Sequence, residues 1–584
     1  MFKSFAEYRS GRQEQPKEQV VWHLYGVGLE NLGKQQAPEV TQVAAVGPDQ
    51  LLARVDAAGL CFSDTKIIKL GGDHPRLYGR NLADDPIIPG HEAALTIIAV
   101  GENRRDDYKV GDRFVVQADI YFKGVNLAFG YMLPGALEQY VLLGEEILAG
   151  DDGVYMVPLQ SETGYSEAAL AEPWACVVRA YRDVRRADLK AGGAVWVVGT
   201  PGADEIAFRI PYGDIMAPRR VVLTDVPEPL ARDIRDLANS AGVPVIVTAS
   251  MAEIDPPALV EEHTGGKGFD DVFVLGSGST EVVEAADRTL SRGGRLNLIT
   301  DKPFPGPANL DVGRVHYDDT YYSGASPDDA LAAYRKLRPI TLQVGGKTWL
   351  VGGAGPMGQM HLQLALESSN RPAVIVVSDI DDERLATALR RFESIADDND
   401  VTLIGLNPTQ MSPEEFDQKL REVAPEGFDD IVTMAAIPVV ISQAAAHLAD
   451  NGMFNVFAGA ARGTTAALDV TAVALRGVRY TGSSGSGIED LATTIRMAES
   501  RELSTNGAVA GIGGMEATWD GMEAVRDGTF PGKIVIYPQV RGLALTRLED
   551  LAELLPEVAE KLGPMNQWTQ EAEEALINHF LVEG

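Results

Sequence analysis

The sequence predicts an α/β protein in which a β-rich domain precedes two tandem copies of one doubly wound, parallel-sheet domain, the first copy degenerate. Residues 86–101, PIIPGHEAALTIIAVG, read as a turn leading into a buried strand, with His91 and Glu92 at its mouth. Residues 347–367, KTWLVGGAGPMGQMHLQLALE, run from an apolar strand through a glycine turn into a helix. The third observation is a repeat. GAVWVVGTPGADEIAF aligns with KTWLVGGAGPMGQMHL, VVLTDVPEPL with VVSDIDDERL, GFDDVFVLGS with GFDDIVTMAA, and RGGRLNLIT with NGMFNVFAG. The offset is 153 residues at the glycine turn and 159 at the GFDD pair, so a whole α/β domain is duplicated rather than a short solenoid unit.

Length and charge narrow the function classes. A chain of 584 residues calls for three or four domains, and 45% apolar residues supply large cores. With 51 Lys+Arg against 84 Asp+Glu the net charge is −33, a surface that repels phosphate backbones and argues against nucleic acid. There is no apolar run of about 18 residues, and the first residues lack the apolar stretch of a signal peptide. No membrane partner and a cytoplasmic location are therefore expected. The two cysteines, Cys61 and Cys176, exclude a disulfide framework and a four-cysteine structural zinc site.

In the β-rich domain, Cys61 lies in DAAGLCFSDTKIIKLG, thirty residues before His91. A lone Cys or His is usually structural. A catalytic zinc, however, takes three protein ligands of this soft or borderline kind and keeps one position open. Glu172, in SEAALAEPWACVVRAYRDV, offers the third.

GLCFSD, PGHEA, YKVGDRFVV, GALEQYVLL and LAEPWACVV occur here in the order seen in zinc-dependent medium-chain alcohol and polyol dehydrogenases, which the chain resembles over roughly residues 20–190 and 345–547. GGDHPRLYGRNLADDPIIPGHE, GFDDIVTMAAIPVV, NGMFNVFAG and PGKIVIYP make the L-sorbose-1-phosphate reductase branch the most similar. The resemblance implies a GroES-like catalytic domain whose single catalytic zinc is bound by Cys61, His91 and Glu172, with no structural zinc. It places Glu92 beside the metal, as an alternating ligand or an electrostatic neighbour. It gives Ser63 a proton-relay hydroxyl and Asp64 the orientation of the ligand histidine. Lys66 stands where many relatives carry a relay histidine. The substrate implied is a polyol or sugar phosphate, and His74, Arg76 and Arg80 are the first candidates to meet its phosphate.

Hydride transfer also needs a nicotinamide. In the second copy Gly353, Gly355, Met357 and Gly358 form the fingerprint turn of a Rossmann-type domain. Gly353 permits the turn, Gly355 lets the pyrophosphate approach, and Gly358 lets helix and strand pack. Asp379, 21 residues after Gly358, suits the adenosine ribose and favours NAD over NADP, with Arg384 nearby to soften that preference. In the first copy Gly202 remains, but Thr200 and Glu205 replace the outer glycines, and a glutamate there repels a pyrophosphate. Asp225 retains the ribose-acid position. The second copy is thus expected to serve the metal and the first to be a structural partner packed as a pseudo-dimer.

The resulting map is a zinc catalytic domain at 1–188, a degenerate Rossmann-like domain at 189–340, and an intact NAD-binding one at 341–504. A return segment to the catalytic domain follows at 505–547, then a helical extension at 548–584. The function expected is reversible conversion of a secondary alcohol and a ketone, with a homo-oligomer admitted. The competing reading is a regulatory or scaffold protein that kept the fold and lost most of the chemistry.

Overall fold

A computed structural model describes residues 2–183, 185–208, 218–335 and 337–582. The stretch 209–217 of the first copy and the last two residues of the C-terminal extension lie outside them. The chain divides into two compact units, Met1–Arg179 with Gly485–Gly584, and Ala180–Ser484.

The first unit is built on an eight-stranded sheet. Its order is Thr546–Arg547, Val509–Gly514, Lys533–Tyr537, Leu51–Leu60, Glu92–Val100, Arg113–Val116 and Met156–Pro158, with Tyr140–Leu143 also paired to Leu51–Leu60. Every residue of Leu51–Leu60 is buried, including Arg54 and Asp56, whose side chains pair at 2.6 Å. That strand runs antiparallel to Glu92–Val100 with Gly59 opposite Glu92, and antiparallel to Lys533–Tyr537 with Leu60 opposite Ile534. Gly59 is needed there, because a Cβ would come 1.9 Å from Glu92 Oε2.

The C-terminal extension packs into this unit. Trp568 is fully buried and donates to Tyr537 Oη at 2.9 Å. Glu573, on helix Gln570–Leu581, accepts from the Tyr165 and Ser166 amides at 2.6 and 2.7 Å and from Tyr537 Oη–H at 2.9 Å. These bonds satisfy amides at the start of helix Tyr165–Ala169, which would otherwise be orphaned. The compact units end at 179 and 484, beside the 188 and 504 expected from the sequence. The reason is helix Ile488–Glu499, whose Leu491 and Ile495 pack on Val115, Val157, Ala171 and Ala175 of the first unit.

The second unit holds the two copies. Each is a six-stranded parallel sheet of the same order. The first runs Val245–Val247, Arg220–Thr224, Ala194–Gly199, Phe269–Leu275, Leu290–Ile299, Tyr321–Ala325. The second runs Thr402–Leu406, Val374–Ser378, Lys347–Val351, Phe428–Thr433, Leu448–Val456, Arg479–Gly482. The duplication extends to individual bonds. Trp196 Nε1 donates to Thr224 Oγ1 and Trp349 Nε1 to Ser378 Oγ, both at 2.9 Å. Asp270 accepts the Ala194 amide and Asp429 that of Lys347, while Asp271 accepts the Lys190 amide and Asp430 that of Gln343.

The copies join through a two-stranded antiparallel link, Ala308–Asp311 with Thr465–Leu468, in which Asn309 faces Ala467. These are equivalent positions, 158 residues apart, as are Asp311 and Asp469, which cap the following helices by accepting from Arg314 N and Ala472 N. A local two-fold therefore passes through the link. The same symmetry appears at the sheet edges. A Cβ on Gly324 would meet Val473 O at 2.4 Å, and one on Gly482 would meet Val315 O at 2.7 Å. One apolar core, including Tyr322 and Tyr480 with rings 6.4 Å apart, runs through both copies. The expected pseudo-dimer packing is what these contacts describe.

Candidate metal centre and cofactor turns

Cys61 ends the strand Leu51–Leu60 and opens the helix Phe62–Leu70. Asp64 in the first turn of that helix accepts the Cys61 amide on Oδ2 at 3.1 Å, and its Oδ1 lies 3.0 Å from His91 Nδ1. One fully buried carboxylate thus fixes both the cysteine backbone and the imidazole. It directs Nε2 of His91 towards Cys61, and Ser63 sits between them. Its Oγ–H donates to Cys61 Sγ at 3.1 Å and lies 3.2 Å from His91 Nε2.

Glu92 follows His91 and points across the strand pair into the same place. Lys533 Nζ donates to Glu92 Oε1 at 2.5 Å and to Leu60 O at 2.8 Å. Glu92 Oε2 is buried and has no partner among the described residues. Cys61, His91 and Glu92 are a group whose ligand atoms all lie within 4.8 Å of one another. A thiolate, an imidazole nitrogen and an orphaned carboxylate oxygen are a donor set that fits zinc.

Glu172, expected as the third ligand, does not join that group. It is buried beside it on helix Ala171–Ala180, within electrostatic reach of His91, Glu92 and Lys533, while the strand pairing sets Glu92 against the Cys61 end of its neighbour. Burial raises the Glu172 carboxyl to about 7, with the Glu92 and Asp119 charges adding to the rise and His91 and Lys533 opposing it. For His91, burial works against the charged form, but the Asp64 carboxylate and Cys61 outweigh it and hold its pKa well above the usual value.

Tyr131 forms a wall of this pocket. Its ring centre is 6.0 Å from that of His91 and 5.5 Å from that of His74, and the Arg76 guanidinium lies 5.5 Å from it. Arg76 Nη1 donates to Asp119 Oδ1 at 2.6 Å, and the His74 ring accepts the Arg76 amide at 3.3 Å. Burial, Arg76 and Lys66 together lower the His74 pKa, so the three basic groups are neighbours. Arg80 is engaged elsewhere, on Asp85 and the carbonyls of Asp85 and Met132, and holds the loop shut. Lys533 and Tyr131 escaped the sequence reading. A lysine opening the apolar run KIVIY was the available signal for the first, and none marked the second.

In the second copy, strand Lys347–Val351 leads into the glycine turn and helix Pro356–Glu367. The positive φ falls on Gly352, at 71°, not on Gly353. Gly353 is required for space, since a Cβ would meet Leu350 Cβ and Val377 Cγ1 at 2.9 Å. Gly358 is required because a Cβ there would lie 2.5 Å from Gly353 Cα. Gly355 opens on free space, its nearest atom 3.9 Å away, and it caps a twelve-residue helix next to Met357. An open helix N-terminus of this kind fits a pyrophosphate. Asp379 accepts from the Ala354 and Asp381 amides at 3.2 Å each and from Arg384 Nη2 at 3.1 Å.

The first copy departs at the same point. After strand Ala194–Gly199 the described residues form a 3₁₀ turn, Ala203–Glu205, where the second copy starts its long helix. Thr200 Oγ1 is occupied, donating to Leu275 O and accepting from Gly278 N, both at 3.0 Å.

Residues 47–150 match the alcohol dehydrogenase GroES-like domain family. The uncharacterized protein YggP of Escherichia coli (strain K12) is 31% identical over 354 residues, 55% of this chain and 80% of its own. Mannitol-1-phosphate 5-dehydrogenase of Aliivibrio fischeri is 29% identical, over 49% of this chain and 70% of its own. L-sorbose 1-phosphate reductase of Klebsiella pneumoniae is 27% identical, over 61% of this chain and 91% of its own.

Proposed function

The chain belongs to the zinc-dependent medium-chain alcohol and polyol dehydrogenase superfamily, and on that premise we propose the chemistry of its site. It is an oxidoreductase that interconverts an alcohol and a ketone on polyols. The finer reading is one zinc per chain held by Cys61, His91 and Glu92, NAD as cofactor on the second glycine turn, and a polyol or sugar phosphate as substrate. The observation that carries it is the group of three ligand atoms within 4.8 Å of one another, together with a buried Glu92 Oε2 that has no partner among the described residues.

When bound, zinc supplies Lewis-acid polarisation of the substrate oxygen and the nicotinamide supplies or accepts the hydride. The chain supplies the rest. Asp64 keeps the proton of His91 on Nδ1, so that Nε2 is the ligand atom. Lys533 anchors one Glu92 oxygen and leaves the other for the metal. Ser63, bonded to Cys61 and close to His91 in this form, would turn its hydroxyl to the substrate once those two groups are engaged and relay the alcohol proton, accepting it while passing its own hydroxyl proton on to solvent. Glu172, with its carboxyl near 7, holds or releases a proton close to neutral pH. Lys66, His74 and Arg76 support a phosphate at the Tyr131 wall.

The test is zinc content by elemental analysis together with substrate-dependent NADH formation across polyols and sugar phosphates. About one zinc per chain and turnover on at least one of these support the reading. A metal-free chain with no turnover would support the regulatory or scaffold alternative.

A further inference from the structure

The degenerate copy keeps a cavity of about 650 Å³ that the proposed chemistry does not use. It lies beyond the carboxyl ends of strands Ala194–Gly199 and Arg220–Thr224, beside Ser279 and Val282 of the element that follows Phe269–Leu275. In the sheet order Ala194–Gly199 and Phe269–Leu275 flank the point where the winding reverses, the place where a doubly wound sheet receives its ligand. The volume falls within the range of small-molecule sites.

What the copy has lost and what it has kept differ in kind. Among the described residues, the features that would hold a phosphate are replaced. Among the described residues the turn leads into a 3₁₀ segment, where the second copy starts a helix whose N-terminus could face an anion. Asp204 and Glu281 line the cavity, and none of its described lining residues is Lys or Arg. The features that suit a nucleoside remain. Asp225 stands at the ribose-acid position after its strand. Its Oδ2 is fixed by Ser250 Oγ–H at 3.0 Å and the Met251 amide at 2.8 Å, which leaves Oδ1 for a diol. Val226, Pro227, Met251 and Ala252 supply an apolar slot beside it. The backbone is shaped for this arrangement. Asp225 has a φ of 50°, and Gly199 is required beneath it because a Cβ would lie 2.0 Å from Asp225 O.

We propose that this cavity binds an uncharged purine nucleoside, with the base between Val226 and Met251 and the ribose diol on Asp225, and that its acidic lining turns away nucleotides. A free polyol would satisfy Asp225 but leave the apolar slot empty, so it is the weaker fit. A dinucleotide would bring its pyrophosphate against Asp204.

The experiment is calorimetric titration of the full chain with adenosine, AMP and 2′,3′-dideoxyadenosine, in the presence of saturating NAD to fill the second turn. One adenosine per chain is expected, with AMP and the dideoxy compound each about tenfold weaker or more. Asp225→Asn is expected to lose about tenfold in adenosine affinity, and Met251→Glu to lose it as well, while NAD-dependent turnover stays unchanged. Competition between NAD and adenosine, AMP binding as tightly as adenosine, or Asp225→Asn without effect would each overturn the proposal. Titration without NAD reads the same site through the Asp225→Asn difference, so a chain that binds no NAD defeats the cofactor assignment without deciding this one.

Discussion

Lys533 Nζ donates to Glu92 Oε1 at 2.5 Å across 441 residues of sequence, and both side chains are buried. Removing one member of such a pair leaves the other as an uncompensated buried charge, at a cost of about 3–5 kcal/mol. A metal on Glu92 would neutralise much of that charge. Lys533→Met is therefore expected to destabilise the metal-free protein by roughly 3 kcal/mol and the zinc-loaded protein by clearly less. Urea denaturation of both forms measures this. Equal losses would place the metal away from Glu92.

Gly355 and Gly202 are equivalent positions, both open to space, with different backbone conformations. Gly355 has a φ of −72° and nothing within 3.9 Å, so Gly355→Val fits the free protein and fills the space a pyrophosphate needs. It should abolish NAD binding while leaving zinc content and melting temperature nearly unchanged. Gly202 has a φ of +83°, so Gly202→Val costs about 1–2 kcal/mol of backbone strain but leaves NAD affinity intact. Calorimetric titration with NAD reads both variants, and loss of binding in Gly202→Val alone would reverse the assignment of the copies.

Asp379 should make NAD the better cofactor by repelling a 2′-phosphate. Arg384, paired to Asp379 at 3.1 Å, is the group that could tolerate one. Arg384→Ala is expected to widen the NAD preference, by about tenfold in kcat/KM. A wild-type preference for NADP would contradict the role given to Asp379.

Arg76 tests the phosphate. Arg76→Gln should raise KM for a phosphorylated substrate by about tenfold or more and leave kcat and the KM for the matching unphosphorylated polyol close to wild type. If both substrates suffer equally, the Arg76–Asp119 pair is a loop support and nothing more.

Burial raises the Glu138 carboxyl from 4.5 to about 8, against the lowering effect of its bond from Gln19. Below pH 4.5 the group is protonated in both folded and unfolded chains and costs nothing. Between 4.5 and about 8 the unfolded chain ionises while the folded chain keeps its proton, so stability falls as pH rises. The slope is at most about 1.4 kcal/mol per pH unit, and it flattens above the upper value. Glu138→Gln keeps an acceptor for Gln19 and should remove this loss, gaining stability over wild type at pH 8 but not at pH 4. Denaturant midpoints at the two pH values decide it.

The sequence by itself determined the repeat, the strand–turn–helix of the second copy, and the placing of Cys61, His91 and their neighbours Ser63 and Asp64. Each of these is written in consecutive residues, where strand periodicity, glycine sterics and first-turn capping act over a few positions. Tertiary structure decided what depends on strand register between distant segments. The pairing of Leu51–Leu60 with both Glu92–Val100 and Lys533–Tyr537 brings Lys533 to Glu92 and sets Glu92 with Cys61 and His91. The facing of Asn309 and Ala467 likewise follows from one antiparallel register, and it turns two tandem copies into a symmetric pair. Side chains alternate along a strand with a period of two, so a slip of one residue would undo either arrangement without altering any local signal.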